Sequence, residues 1–259
     1  MSPQIHLRRA WSDFLSAMQF LTRIPMPARP YEADSLARSV KFFPLVGLLV
    51  GGSAALLHLL LSAHLPRLAT ALVTLLYLVL ITGGLHEDGL ADVADGFGGG
   101  ISREKILLIL RDSRIGSYGG LALAFSLMGR VILIASLPLG QVLYYLVAAS
   151  VLCRWTVLPL SYFLPSARTQ TASEVDGQGA RIAQHISTTA LIGATIFSFA
   201  IAGALLKLQA IAPVLSVLLV TWFTGAYYKR RIDGVTGDCF GATIQLAEIA
   251  VYFCGVWTL

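Results

Sequence analysis

The sequence predicts an all-α protein: a polytopic membrane helix bundle of about seven transmembrane helices, preceded by an N-terminal interfacial helix. Three observations carry this. Only 13% of the 259 residues are charged, about half of the roughly 25% found in soluble domains. Mean hydropathy is +0.74. Uncharged apolar stretches near the span length of about 20 residues recur along the chain. The same composition excludes a disordered chain, a nucleic-acid-binding module and a disulfide scaffold. The length leaves no room for a separate soluble domain, so 1–259 reads as a single unit.

Segment 1–41 differs from the rest of the chain. Trp11, Phe14, Leu15, Met18 and Leu21 recur at helical spacing beside Arg8, Arg9 and Asp13, the pattern of a helix lying in the membrane interface. A turn through Pro25, Pro27 and Pro30 comes next, and no cleavable signal peptide is expected. Spans are then expected at 42–62, 67–85, 118–137, 141–164, 187–206, 209–228 and 240–258. The alternate segments 1–41, 86–117, 165–186 and 229–239 hold 15 of the 19 Lys and Arg and 13 of the 14 acids, whereas the other connections hold only Arg67 and Lys207. Positive charge stays inside, so the expectation is an inner-membrane protein with its N-terminus and active site on the cytoplasmic side and its C-terminus outside. Cys153, Cys239 and Cys254 have neither metal nor redox spacing and read as inert thiols. A homo-oligomer is left open.

The most informative segment is Gly83-Gly84-Leu85-His86-Glu87-Asp88-Gly89-Leu90-Ala91-Asp92-Val93-Ala94-Asp95-Gly96. Asp88, Asp92 and Asp95 stand at i, i+4 and i+7, which puts three carboxylates on one helix face. No Lys or Arg intervenes between His86 and Arg103, so the stripe calls for a positive partner. A hard divalent cation such as Mg²⁺, taking carboxylate oxygens together with substrate phosphates, answers that need. His86 reads as a ligand, a base or a structural hydrogen-bonding group.

Two basic clusters lie further along. Arg111-Asp112-Ser113-Arg114 places Arg111 and Arg114 as i, i+3 neighbours able to clamp phosphate oxygens. Gly116, Gly119 and Gly120 free backbone N–H groups at the start of the next span, a further anion site. Lys229-Arg230-Arg231 precedes Thr236-Gly237-Asp238 in the last polar segment. Within the spans, Glu248 requires a partner, and Arg130 and Arg154 are the two available. Acid, metal and paired arginine together form the apparatus of phosphoryl transfer.

These residues resemble one known family. His86-x-Asp88-Gly89-x-Ala91-Asp92-x-x-Asp95, with Asp112-Ser113-Arg114-x-Gly116 and Thr236-Gly237-Asp238, is similar to the cobalamin synthases, the adenosylcobinamide-GDP ribazoletransferases. Phe20–Pro27, with Arg23, and Phe43–Gly47 match in the same order. The resemblance implies a membrane enzyme that joins adenosylcobinamide-GDP to α-ribazole, or its 5′-phosphate, releasing GMP with Mg²⁺ as cofactor. On that chemistry Asp88, Asp92 and Asp95 are candidate metal ligands. Asp95 is the choice for the base, Asp92 and His86 are further catalytic candidates, and the assignment of base against ligand stays open. Arg111, Asp112, Ser113, Arg114, Lys229, Arg230, Thr236 and Asp238 are candidate phosphate-binding residues, with Arg23, Arg154 and Glu248 as further candidates.

The chain departs from the family pattern at Glu87, where an apolar residue is frequent, at Gln245, where Glu is frequent, and at Asp233, where Gly is frequent. Two rival readings are a CDP-alcohol phosphotransferase and an ion-coupled transporter. The first continues with Ala-Arg and two later aspartates at four-residue spacing, whereas here Asp92 follows Ala91 and the next acid is Asp95. The second would hold its acids at mid-bilayer.

Overall fold

In a computed structural model, residues 3–27, 35–168 and 186–257 are described. Among them the chain is helical and has no strand; Ser166 and Val235 form one isolated bridge. Of the expected features, Pro30 and residues 169–185 of the segment 165–186 lie outside the described residues.

Helix α1 (Pro3–Leu21) buries Ala17, Met18 and Leu21 and exposes Leu7 and Trp11, as the amphipathic pattern requires. Its buried Asp13 meets Lys41 at 2.8 Å and Arg38 at 3.1 Å. A short helix, α2 (Ser35–Ser39), leads into α3 (Phe43–Ser62), which carries Pro44 in its first turn, where no intrahelical donor is lost. The most extensive packing of α3 is against α8 (Val142–Trp155). A Cβ on Gly47 would lie 2.2 Å from the Ser150 carbonyl oxygen, so only glycine lets these backbones meet.

Helix α4 (Arg67–Thr82) ends at Gly83 and Gly84, with φ of 67° and 70°. This pair of left-handed residues turns the chain by 87° into α5 (Leu85–Gly99). The expected span 67–85 therefore ends in an elbow, and α5 leaves the line of α4 at nearly a right angle. Then come α6 (Arg103–Ile109), α7 (Ser117–Ser136), α8, α9 (Val157–Phe163), α10 (Thr188–Leu206), α11 (Ile211–Ile232) and α12 (Gly237–Trp257). Asp233, at the end of α11, takes φ 57°, a conformation that glycine adopts freely and aspartate tolerates.

Five runs among the described residues are long and apolar enough to cross a membrane, or six with the bent α4–α5 pair, against about seven expected. The difference lies in residues 188–232, which are helical over 45 residues and count as one run. A straight helix of that length would be about 68 Å long, twice the hydrocarbon core of roughly 30 Å. The run instead folds back at Lys207, where φ is 54°. Thr188, at the start of α10, bonds Tyr162 of α9 at 3.1 Å, and Gly225, late in α11, packs on Leu160 of the same helix.

Cross-links define two ends of the bundle. At one, Arg231 donates to the Gly100 carbonyl at 2.7 Å, and Arg103 to the carbonyls of Ala167 and Ile232 at 2.7 and 3.0 Å. The backbone N–H of Arg23 donates to the Ile81 carbonyl there at 2.7 Å. At the other end Arg67 bonds the Leu137 carbonyl, and Gly255 of α12 packs on Leu137 and Tyr145. Leu56, Leu72, Phe125, Ile196 and Trp222 are exposed on the outward faces, as in a bundle surrounded by lipid.

Candidate active site

The acidic stripe occupies one face of α5, as its spacing predicts, with His86, Leu90 and Phe97 on the opposite face. Gly89 lies between the two faces and decides what the acids meet. A Cβ there would be 2.9 Å from the Asp238 carbonyl oxygen and 3.2 Å from the Gly241 Cα. Helices α5 and α12 thus touch through their backbones, which brings Asp238 to the stripe. Burial first, then the charges of Asp238, Asp88 and Asp95, push the Asp92 carboxyl up to about 7, while Arg168 acts in the opposite sense.

Asp88 borders two cavities. The larger, of about 430 Å³, is polar and is lined by Arg23, Asp88, Asp92 and Ser113. The smaller, of about 150 Å³, lies between Phe20, Phe43, Phe240 and Ile244, with Asp88 and Asp238 in its wall. Arg23 covers the elbow. Its Nε would lie 1.9 Å from a Cβ on Gly83, so glycine is needed there both for its positive φ and for this contact.

Several expected site residues are placed elsewhere. The Asp95 carboxylate accepts from the Gly116 N–H at 2.7 Å and the Gly119 N–H at 2.9 Å. The anion position expected at the start of α7 is therefore filled by Asp95 itself. Arg114 is exposed and directs its fork at Asp112, with Nη2 to Oδ2 at 2.6 Å and Nε to Oδ1 at 2.9 Å. The Arg114 hydrogen bonds hold the Asp112 carboxyl down at about 2. Arg111 is exposed on the same loop. Lys229 lines an apolar groove with Trp222 and Phe163, and Arg230 lies over the Tyr227 ring; neither borders the acid cavities. The Thr236 hydroxyl accepts from the Cys239 N–H at 3.4 Å and donates to Asp238 at 3.2 Å, capping α12.

Beneath the stripe lies a buried ionic hub that the sequence only partly disclosed. Of the two arginines offered to Glu248, Arg130 is the partner, at 3.1 Å, and it also donates to Glu87 at 2.8 Å. Arg154 instead donates to the Ser150 carbonyl at 3.0 Å. The Gln245 amide donates to Glu87 at 2.9 Å, so two departures from the family pattern touch each other. His86 is buried beside this hub, and its Nε2 has no protein partner among the described residues. Burial, then Arg154 and Arg130, hold its imidazole well below the ordinary histidine range. Arg168, which the sequence did not single out, meets Asp238 at 3.4 Å.

A helical bundle with lipid-type outer faces, gathering aspartates and an arginine around open cavities at one end, is a polytopic membrane enzyme. The chain belongs to the Cobalamin-5-phosphate synthase family, whose model matches residues 13–256. Its relatives include an adenosylcobinamide-GDP ribazoletransferase of Polaromonas sp., 40% identical over 93% of this chain and 94% of the relative. That of Azorhizobium caulinodans is 43% identical with the same coverage. That of Klebsiella pneumoniae subsp. pneumoniae is 38% identical over 92% of this chain and 96% of the relative. No solved structure matches the chain.

Proposed function

We propose that this chain transfers the adenosylcobinamide-phosphate group from adenosylcobinamide-GDP to α-ribazole or its 5′-phosphate, releasing GMP, as the last step of cobalamin nucleotide-loop assembly. The observation that carries the reading is the meeting of α5 and α12 at Gly89, which brings Asp238 beside Asp88 in one cavity, while Asp88 and Asp92 share the adjoining cavity with Arg23.

The donor set is all carboxylate. No three His, Cys, Asp or Glu side chains among the described residues form a closed metal cage. An open pair of carboxylates suits Mg²⁺, which usually takes one or two from the protein and shares substrate phosphates. Asp88 and Asp92 would hold it. When bound, Mg²⁺ supplies charge stabilisation to the diphosphate and its leaving group.

The residues of the chain do the rest. Arg23 binds phosphate oxygens in the polar cavity. The ribazole hydroxyl oxygen attacks the phosphorus esterified to cobinamide, its proton passes to a carboxylate, and the bond to the GMP oxygen breaks. We assign proton acceptance to Asp238. It lines the smaller cavity beside Asp88, whereas both oxygens of Asp95 are taken by backbone donors. His86 and the Arg130–Glu248 pair act as supports for α5. The sidedness of basic residues supports an inner-membrane setting with this end of the bundle, and the N-terminus, in the cytoplasm.

The test is GMP release from adenosylcobinamide-GDP by purified, detergent-solubilised protein. Release that requires both α-ribazole and Mg²⁺ supports the reading. CMP release from a CDP-alcohol, with none from adenosylcobinamide-GDP, overturns it in favour of a phospholipid synthase.

A further inference from the structure

The smaller cavity beside Asp88 has no part in holding the diphosphate, yet it opens on the same carboxylate. Its volume is about 150 Å³, well below the roughly 300–1,000 Å³ of cavities that enclose a whole small ligand. A corrin is far too large for that volume, whereas a single bicyclic ring is of matching size. One side of the cavity wall is apolar, with Phe20, Phe43, Val157, Phe240 and Ile244, and His86, Asp88 and Asp238 complete it. Phe20 and Phe43 are stacked, with centroids 5.8 Å apart and planes at 13°. The carboxylates in the wall, Asp88 and Asp238, belong to helices whose backbones touch at Gly89 and Gly241.

Resting on the activity proposed above, we infer that this cavity receives the apolar aromatic base of the acceptor nucleoside and leaves its ribose at Asp88 and Asp238. Three features lead there. A flat hydrocarbon-rich ring gains from burial against phenylalanine and isoleucine. Guanine, the other base in the reaction, carries donors and acceptors along its edges, and the phenylalanine, valine and isoleucine side of the wall offers them no partner once Asp88 and Asp238 are taken by the sugar. Asp88 is common to both cavities. A base in one therefore puts its sugar hydroxyl next to phosphates in the other, the pre-positioning that converts a two-substrate encounter into a local step. The polar and aromatic cavities are thus the donor and acceptor subsites, with Asp88 at their boundary.

The experiment has a binding arm and a kinetic arm. In the first, labelled α-ribazole is bound to the unsubstituted protein in nanodiscs without donor, then challenged with its free base, a dimethylated benzimidazole, or with guanosine. The free base should displace it and guanosine should not. In the second, Ile244→Phe, which extends a ring into the cavity, should raise KM for α-ribazole at least about tenfold, with KM for adenosylcobinamide-GDP within about twofold. If Ile244→Phe fails to fold, Phe20→Leu at the half-buried edge should give a smaller split of the same sense. Displacement by guanosine, or a rise in donor KM alone, overturns the assignment. Base displacement that is lost in Ile244→Phe, with no GMP release from the unsubstituted protein, would support the cavity assignment and count against the proposed activity instead.

Discussion

The Asp95 carboxylate accepts the Gly116 N–H at 2.7 Å, and its second oxygen takes the Gly119 N–H at 2.9 Å. A helix N-terminus carries unsatisfied donors and a partial positive charge. The acid that satisfies α7 therefore comes from α5, 21 residues back from Gly116. The contact is tight enough that a Cβ on either glycine would lie 2.3 Å from an Asp95 oxygen.

Asp95→Ala should accordingly cost about 1–2 kcal/mol of stability, a fall of several degrees in Tm. Asp95→Asn keeps one acceptor, so it should retain most of both stability and turnover. Thermal scans with parallel GMP release check this. Lost turnover in the Asn variant at an unchanged Tm would return Asp95 to the catalytic set.

Asp88→Asn and Asp92→Asn should behave in the opposite way. An amide keeps the shape but not the charge a hard cation needs. Each variant should fold normally and lose on the order of 10³-fold in rate, equivalent to about 4 kcal/mol of transition-state stabilisation. Near-normal rates in saturating Mg²⁺ would remove either residue from the ligand pair.

The raised carboxyl of Asp92 has a pH consequence. Its value rises from 3.8 to about 7 on folding, so between those values the native state binds more protons than the unfolded chain. Stability without metal should therefore fall as pH rises through that window and level off above it. Cation binding requires the ionised form, so apparent Mg²⁺ affinity should strengthen as pH rises through about 7. Denaturation curves with and without Mg²⁺ at several pH values read both trends. A metal-free stability that rises across the window would contradict the shift.

Gly241→Val places side-chain atoms where α12 meets α5; even a Cβ would lie 3.3 Å from the Gly89 Cα and 3.4 Å from the His86 Cα. Overpacking of this kind costs about 1–3 kcal/mol, and it parts Asp238 from Asp88 and Asp92. Turnover should fall by more than the loss of folded protein explains, as judged by activity normalised to the folded fraction.

Arg130→Met should be among the most damaging substitutions. Arg130 is 1% exposed and serves both Glu87 and Glu248. Removing one member of a buried ionic group leaves the others uncompensated, at about 3–5 kcal/mol. Glu248→Gln alone should cost less, because Glu87 still balances the arginine. Chemical or thermal unfolding in detergent ranks the two.

The helical membrane class, the places where most helices lie, and the acidic face of α5 were all legible in the chain. Each derives from a local period: about 20 apolar residues for a span, and i, i+4, i+7 spacing for a shared face. The glycine pair at Gly83 and Gly84 marked a turn, but not its 87° angle. What tertiary structure decided was which partner each charged group found. Spacing could not show that Asp238 would join the stripe, because that depends on two glycines, 152 positions apart, meeting between α5 and α12. Nor could it choose Arg130 over Arg154 for Glu248, since both lie in spans whose helices, α7 and α8, pack on α12, and only the tertiary arrangement turns Arg130 toward Glu248 and Arg154 toward the Ser150 carbonyl. Arg114 read as a phosphate fork, yet it closes on Asp112 two residues away. Periodicity is a property of one helix and survives in the sequence. Charge pairing is a property of two, and it exists only once the backbones have been brought together.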